Sequence, residues 1–255
     1  MLFCHGFGMD QTLWRNLLPA FQDAHQVILM DLIGCGGSDL GAYRRDKYAS
    51  IRGHVEDLVE LCRVLDLRDL VYVGHSVGAM IGLQAALAAP ERFAGLVMVG
   101  ASPRYLDDEG YRGGFTAQDV EDLLAGFDTN RQAWSEQLGR LAVAHPEHPD
   151  HPDWVREVCG RFQSTDPAIF RTFAQATFAV DFRADLGACR TPVLLLQSRE
   201  DPIVPVAVSE YLRSAIPESA LQYLACAGHF PQLTAPRSLT DAISAFLGRL
   251  EQPRG

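Results

Sequence analysis

The stretch 71–80, VYVGHSVGAM, constrains the chain more than any other. An apolar run (Val71, Tyr72, Val73) enters a Gly-His-Ser-Val-Gly turn, and AMIGLQAALAA follows with helical composition and no proline before Pro90. Strand, sharp turn and helix, with Ser76 at the apex, form the context that a G-x-S-x-G nucleophile elbow requires. The serine backbone is strained in such a turn, so the residues two before and two after must be small; Gly74 and Gly78 are. Val77 N–H opens the helix, where unpaired amides and the dipole favour developing negative charge. The blander reading is an ordinary strand-to-helix turn that contains a serine, and the flanking elements weigh against it.

The rest of the chain supplies a frame for that turn. Residues 2–4 read as a short strand running into HGFG (5–8), whose glycines let backbone amides turn toward a ligand. In this context the Phe7 N–H is the expected second oxyanion donor, with the Phe7 ring beside Ser76. Further strands are expected at 27–31 and 93–100, both buried, and at 192–197 and 220–225. Helical periodicity marks 11–21, 48–65, 76–89, 206–214 and 238–250. The glycine-rich turn LIGCGGSD lacks the Walker lysine and the G-x-G-x-x-G spacing, so it reads as a strand-to-loop turn and not a phosphate cradle. Alternating strands and helices define an α/β protein with a mostly parallel sheet covered on both faces. Sites in such sheets lie at the carboxyl ends of the strands, where Ser76 and HGFG both fall. The last residues, EQPRG, read as a frayed end.

The rhythm breaks between 102 and 187. Helices are expected there at 117–127, 131–144, 153–162 and 167–178, and no core strand. The segment is rich in aromatic residues, some of which would roof an apolar pocket. It reads as a helical lid inserted between two parts of one core, 1–101 and 188–255. HPEHPDHPD (145–153) separates the second helix from the third. His145, His148 and His151 have a regular spacing that suggests metal ligands, but the interleaved prolines and acids favour an extended, solvated loop.

Composition narrows the function classes. A formal net charge of −10 argues against nucleic acid and anionic membranes as partners. No apolar run approaches the roughly 20 residues that span a bilayer, and MLFCHGFGMD has neither a basic stretch nor a cleavage site of a signal peptide. The six cysteines lack C-x-x-C spacing and read as small buried residues in a reducing cytoplasm, with no metal framework.

A serine hydroxyl needs an imidazole to take its proton, and the imidazole needs an acid to hold it. Asp201, in SREDPIVP, and His229, in AGHFPQL, each follow an expected strand and so reach the edge where Ser76 stands. The order Ser, Asp, His along the chain is the one used by α/β-hydrolases. Glu200 and Asp181 compete for the acid's place, and position after a core strand favours Asp201. Of the eight histidines only His5, His75 and His229 fall near Ser76. His5 belongs to HGFG, and His75 is too close in sequence to face the hydroxyl.

HGFGMDQTLW, DLIGCGGSDL, VYVGHSVGAMIG, LVMVGASPRYLDDEGYRGGF, RFQSTDP, DPIVP and GHFPQL, in that order, resemble the RsbQ-like α/β-hydrolases, which include bacterial stress regulators and plant strigolactone and karrikin receptors. The resemblance covers nearly the whole chain. It implies an α/β-hydrolase fold with a V of four lid helices, a triad of Ser76, Asp201 and His229, and oxyanion amides from Phe7 and Val77. It also implies a deep apolar substrate pocket lined by Phe7, Tyr105, Phe115, Trp134, Phe162 and Phe178. Leu138 stands where the plant receptors tend to carry phenylalanine, which would widen the pocket. Family members carry two more strands before HGFG; this chain begins at that loop's strand, so its sheet is expected to lack them while keeping every triad member.

Two functions fit. One is a serine hydrolase that cleaves small apolar carboxylic esters or lactones, butenolide-like ones included, through an acyl-enzyme and without a cofactor. The other is a signalling protein of the RsbQ type that binds or slowly hydrolyses a small ligand and regulates a protein partner. A dehalogenase or epoxide hydrolase on the same fold would carry aspartate at the elbow, and Ser76 argues against both.

Overall fold

The computed structural model describes residues 1–251; residues 252–255, most of the expected frayed end, lie outside the described residues. Six strands form one parallel sheet: β1 (Leu2–Cys4), β2 (Ile28–Met30), β3 (Leu70–His75), β4 (Phe93–Val99), β5 (Val193–Glu200) and β6 (Ser219–Ala227), in the order β2-β1-β3-β4-β5-β6. The chain steps outward from β1 to β2, then returns to build β3 on the other side of β1. The carboxyl ends of β1 and β3 therefore flank the point where winding reverses, the usual place for a crevice in an open α/β sheet. HGFG leaves β1 there, and Ser76 leaves β3.

Alternation along each strand sorts side chains into two cores. Leu2, Cys4, Leu70, Tyr72, Leu96, Met98, Val193 and Leu195 face α2 (Arg52–Val64), α3 (Val77–Ala88) and α8 (Val206–Ala215). Phe3, Val71, Val73, Val97, Val99, Leu194 and Leu196 face α10 (Pro236–Leu250) and the cluster Leu13, Trp14, Leu17 and Phe21. A two-residue period with both faces apolar is what a sheet covered on both sides requires. All six cysteines are buried and unpaired. Among the described residues no helix is long and apolar enough to cross a membrane.

Several expected elements differ. Residues 11–21 form two short 3₁₀ turns, Gln11–Trp14 and Leu18–Ala20, and not one helix. The Asp10 carboxylate caps the first, and Pro19, which has no N–H, opens the second. The helix expected at 48–65 is split into α1 (Arg45–Tyr48) and α2 (Arg52–Val64). β2 is only half-buried, because it is an edge strand. Four consecutive helices occupy the interval between β4 and β5: α4 (Ala117–Thr129), α5 (Arg131–Val143), α6 (His151–Ser164) and α7 (Pro167–Phe178). α6 begins at His151, two residues earlier than expected, since Pro152 fits a helix's first turn. Part of HPEHPDHPD is thus helix, with His151 buried, and not a solvated loop throughout. The remaining elements close the second half of the sheet, with α9 (Pro231–Thr234) just before α10.

Candidate active site

The elbow is as tight as its sequence demands. Ser76 has φ 55° and ψ −127°, a region non-glycine residues rarely occupy. Its amide donates to Val99 O at 2.8 Å, which anchors the turn to β4. A Cβ on Gly74 would stand 2.6 Å from Ala79 Cα, and one on Gly78 would collide with the His5 carbonyl oxygen. The two glycines thus let α3 start directly beneath HGFG. Val77 N–H is among the orphan donors of α3's first turn, and within the described residues neither it nor Phe7 N–H meets a protein acceptor.

Ser76, His229 and Asp201 form one hydrogen-bonded chain. Ser76 Oγ–H donates to His229 Nε2 at 3.0 Å, and His229 Nδ1–H donates to Asp201 Oδ2 at 2.8 Å. Asp201 Oδ1 accepts the amides of Ile203 and Val204 at 2.8 and 3.0 Å, and Gln197 Nε2 reaches Oδ2 at 3.3 Å. These donors fix the carboxylate, so it can fix the imidazole in turn. All three side chains are buried. The competing acids are elsewhere: Asp181 pairs with Arg104 and Arg183, and Glu200 is exposed.

The other two nearby histidines serve the scaffold. His5 Nδ1–H donates to Gly6 O at 2.8 Å and its Nε2 accepts Leu32 N–H at 3.0 Å, tying HGFG to the end of β2. Burial lowers its pKa. His75, set aside on proximity to Ser76, has a role that only the fold reveals. Its Nε2–H donates to the carbonyl of His229 at 2.8 Å. Burial, with the neighbouring His229 adding to it, pushes the His75 pKa well down, so the ring stays neutral. On the other side of His229, its amide donates to Ala142 O, at the end of α5, at 2.7 Å. Gly228, with φ +88°, is packed so close to Val143 O that a Cβ would collide. Sequence offers no sign of either contact, because each joins residues more than 80 positions apart.

A narrow apolar pocket meets Ser76, with about 50 Å³ for the centres of water-sized spheres. Phe7, Tyr105, Phe115, Leu138, Phe162 and Phe178 line it. Trp134 does not: it lies behind the wall, its ring 5.3–5.6 Å from those of Phe127, Phe162 and Phe170, and it borders an outer groove between α4 and α5. A helix's aromatic face is set by packing against neighbours, which spacing along α5 does not reveal. Leu123, Ala142, Thr177, Ile203 and Phe230 complete the wall and were not anticipated. Tyr105 Oη lies 3.1 Å from Ser76 Oγ, and burial raises the pKa of this phenol. Phe7 packs on Phe170 at 4.5 Å, between HGFG and α7.

The three spaced histidines have separate partners. His145 Nε2 accepts Ala227 N–H at 2.8 Å, His148 stacks on Trp154 at 4.4 Å, and His151 is buried at the start of α6.

The fold and this serine–histidine pair define a class, and comparison with known proteins agrees. A family model described as alpha/beta hydrolase fold matches residues 1–236. The chain belongs to that family. It is 35% identical over 250 residues to strigolactone esterase D14 of Arabidopsis thaliana, covering 98% of this chain and 92% of the relative. It is 33% identical over 234 residues to karrikin insensitive 2 receptor IA of Petunia hybrida, covering 91% and 84%. Among solved structures, a hydrolase from Oleispira antarctica superposes with a TM-score of 0.92 at 33% identity, covering 97% of this chain and 90% of that one. These relatives agree with the resemblance read from the motifs.

Proposed function

We propose that the protein is a serine hydrolase of small apolar carboxylic esters or lactones, butenolide-like ones included. The observation that carries the reading is the continuous hydrogen-bonded chain Ser76–His229–Asp201, with Ser76 and His229 in the wall of an apolar pocket. In this reading Ser76 Oγ attacks the carbonyl carbon while His229 Nε2 takes its proton. The tetrahedral oxyanion is held by the amides of Phe7 and Val77, at the start of α3. Collapse expels the alkoxide, which leaves with the proton from His229, and an acyl-Ser76 ester remains. Water, activated by His229, then releases the acid and restores Ser76. No step calls for a cofactor. Helices within 102–187 act as the lid, since α4 to α7 supply much of the wall. The esterase names of several relatives support the same chemistry.

The receptor-named relatives support a second reading, in which ligand binding or slow turnover is passed to a protein partner. Hydrolysis of p-nitrophenyl acetate by wild type and Ser76→Ala protein, with circular dichroism on both, tests the first. Ser76-dependent release is expected; no release from folded wild type overturns the hydrolase reading and leaves the receptor one.

A further inference from the structure

Five polar side chains reach the pocket wall: His75, Ser76, Tyr105, Thr177 and His229. Four of them are joined to one another through the serine, the general base and its backbone. Thr177 stands apart. It is 3% exposed, and its Oγ1 is enclosed with no hydrogen-bond partner among the described residues. The same helix supplies a comparison, for Thr172 Oγ1 donates to Ala168 O at 2.8 Å. That is the common use of a threonine hydroxyl inside a helix. Thr177 leaves its own hydroxyl unspent, one residue before Phe178, whose ring meets Tyr105 at 5.6 Å and Phe115 at 5.3 Å.

A buried hydroxyl without a partner is costly, and most such groups in folded proteins are satisfied. A ligand that completes the bond removes that cost on binding. In an otherwise apolar pocket, a few placed polar groups orient the ligand and set its selectivity. We propose that Thr177 Oγ1 is a substrate-binding group that donates to an ether or carbonyl oxygen of the substrate other than the oxygens of the scissile ester. The inference rests on the hydrolase reading and narrows its substrate class: small apolar esters or lactones carrying one further acceptor oxygen. A site built to hydrogen-bond a substrate oxygen discriminates against the analogue without it far better than an apolar wall discriminates a methylene.

The test compares p-nitrophenyl esters of an unbranched acyl chain with isosteres in which each methylene in turn is replaced by an ether oxygen. The kcat/KM ratio of each ether to its hydrocarbon partner is measured for wild type, Thr177→Val and Thr177→Ser protein. For one ether position the wild-type ratio is expected to exceed that of Thr177→Val by roughly tenfold, and Thr177→Ser is expected to keep the preference. Equal ratios in wild type and Thr177→Val at every position overturn the inference. Valine matches threonine in shape, and circular dichroism checks that the variant is folded. A second readout needs no turnover: the same esters are added to Ser76→Ala and to Ser76→Ala/Thr177→Val protein, and the rise in Tm is recorded. An ether preference that valine removes supports the subsite even if wild type cleaves none of the esters, which would overturn the hydrolase reading alone. No such preference overturns the subsite.

Discussion

The Tyr105 hydroxyl lies 3.1 Å from Ser76 Oγ, the same oxygen that lies 3.0 Å from His229 Nε2. Ser76 has one proton and gives it to His229, so Tyr105 is the donor in this pair. In the proposed mechanism this bond steadies Oγ for transfer of its proton to the imidazole. Tyr105→Phe is expected to lower kcat by about 2- to 10-fold, the worth of one neutral hydrogen bond, with KM for apolar esters little changed. Steady-state kinetics checks this; an unchanged kcat would show that the phenol only fills space.

Gly100 has φ +57°, and a Cβ there would lie 3.2 Å from His229 Cε1 and 3.3 Å from Nδ1. Gly100→Ala is expected to cost about 1–2 kcal/mol of stability from the left-handed backbone alone. It should also cut kcat about tenfold or more by shifting the imidazole. Active-site titration beside Tm measurement separates the two: a lower Tm with wild-type kcat per active site would mean that His229 has not moved.

Phe162 is in the pocket wall and Trp134 is behind it. Truncating either leaves a cavity and is expected to destabilise by about 3–5 kcal/mol. Only Phe162→Ala should also raise KM for apolar esters. If Trp134→Ala raises KM as much, the wall is drawn in the wrong place.

Acid should weaken the fold before it removes any charge pair. His54 is buried against Tyr48 and Phe173, and its pKa is lowered to about 4, chiefly by burial. Burial lowers His5 and His75 as well. The unfolded chain binds protons at these rings that the folded chain refuses. Stability is therefore retained above the ordinary histidine pKa of 6.5 and lost as pH falls from there toward about 4. The slope per such histidine is about 1.4 kcal/mol per pH unit. Urea unfolding at pH 7 and pH 5 measures it. His54→Phe, which keeps a ring between Tyr48 and Phe173, should flatten the dependence; an unchanged slope would exonerate His54.

What the sequence disclosed was local. The elbow was legible because its steric demands fall on Gly74, Ser76 and Gly78, within five residues, and because strand and helix patterns flank it. Asp201 and His229 were legible because each sits just past a strand, and a parallel sheet carries all such points to one edge. The role of His75 is not legible, because its proximity in sequence bears only on the serine hydroxyl and its partner is a carbonyl 154 residues away. Residues 11–21 misled because apolar positions 13, 14, 17 and 18 suit one helix or two 3₁₀ turns equally, and Pro19 had to be weighed against them. Trp134 and Thr177 depend on how four helices pack, and no periodicity along one helix contains that.

The bond from the His229 amide to Ala142 O has a consequence for how a ligand enters. Ala142 also faces the pocket, so the same residue lines it and holds His229, the general base of the proposed mechanism. The C-terminal end of α5 is thereby a hinge pin and not the free rim of a flap. Were α5 to lift at that end, it would pull on the backbone of His229 and break the proton path as the door opened. Among the described residues the opposite end of α5, at Asn130 where α4 meets it, makes no hydrogen bond to His229.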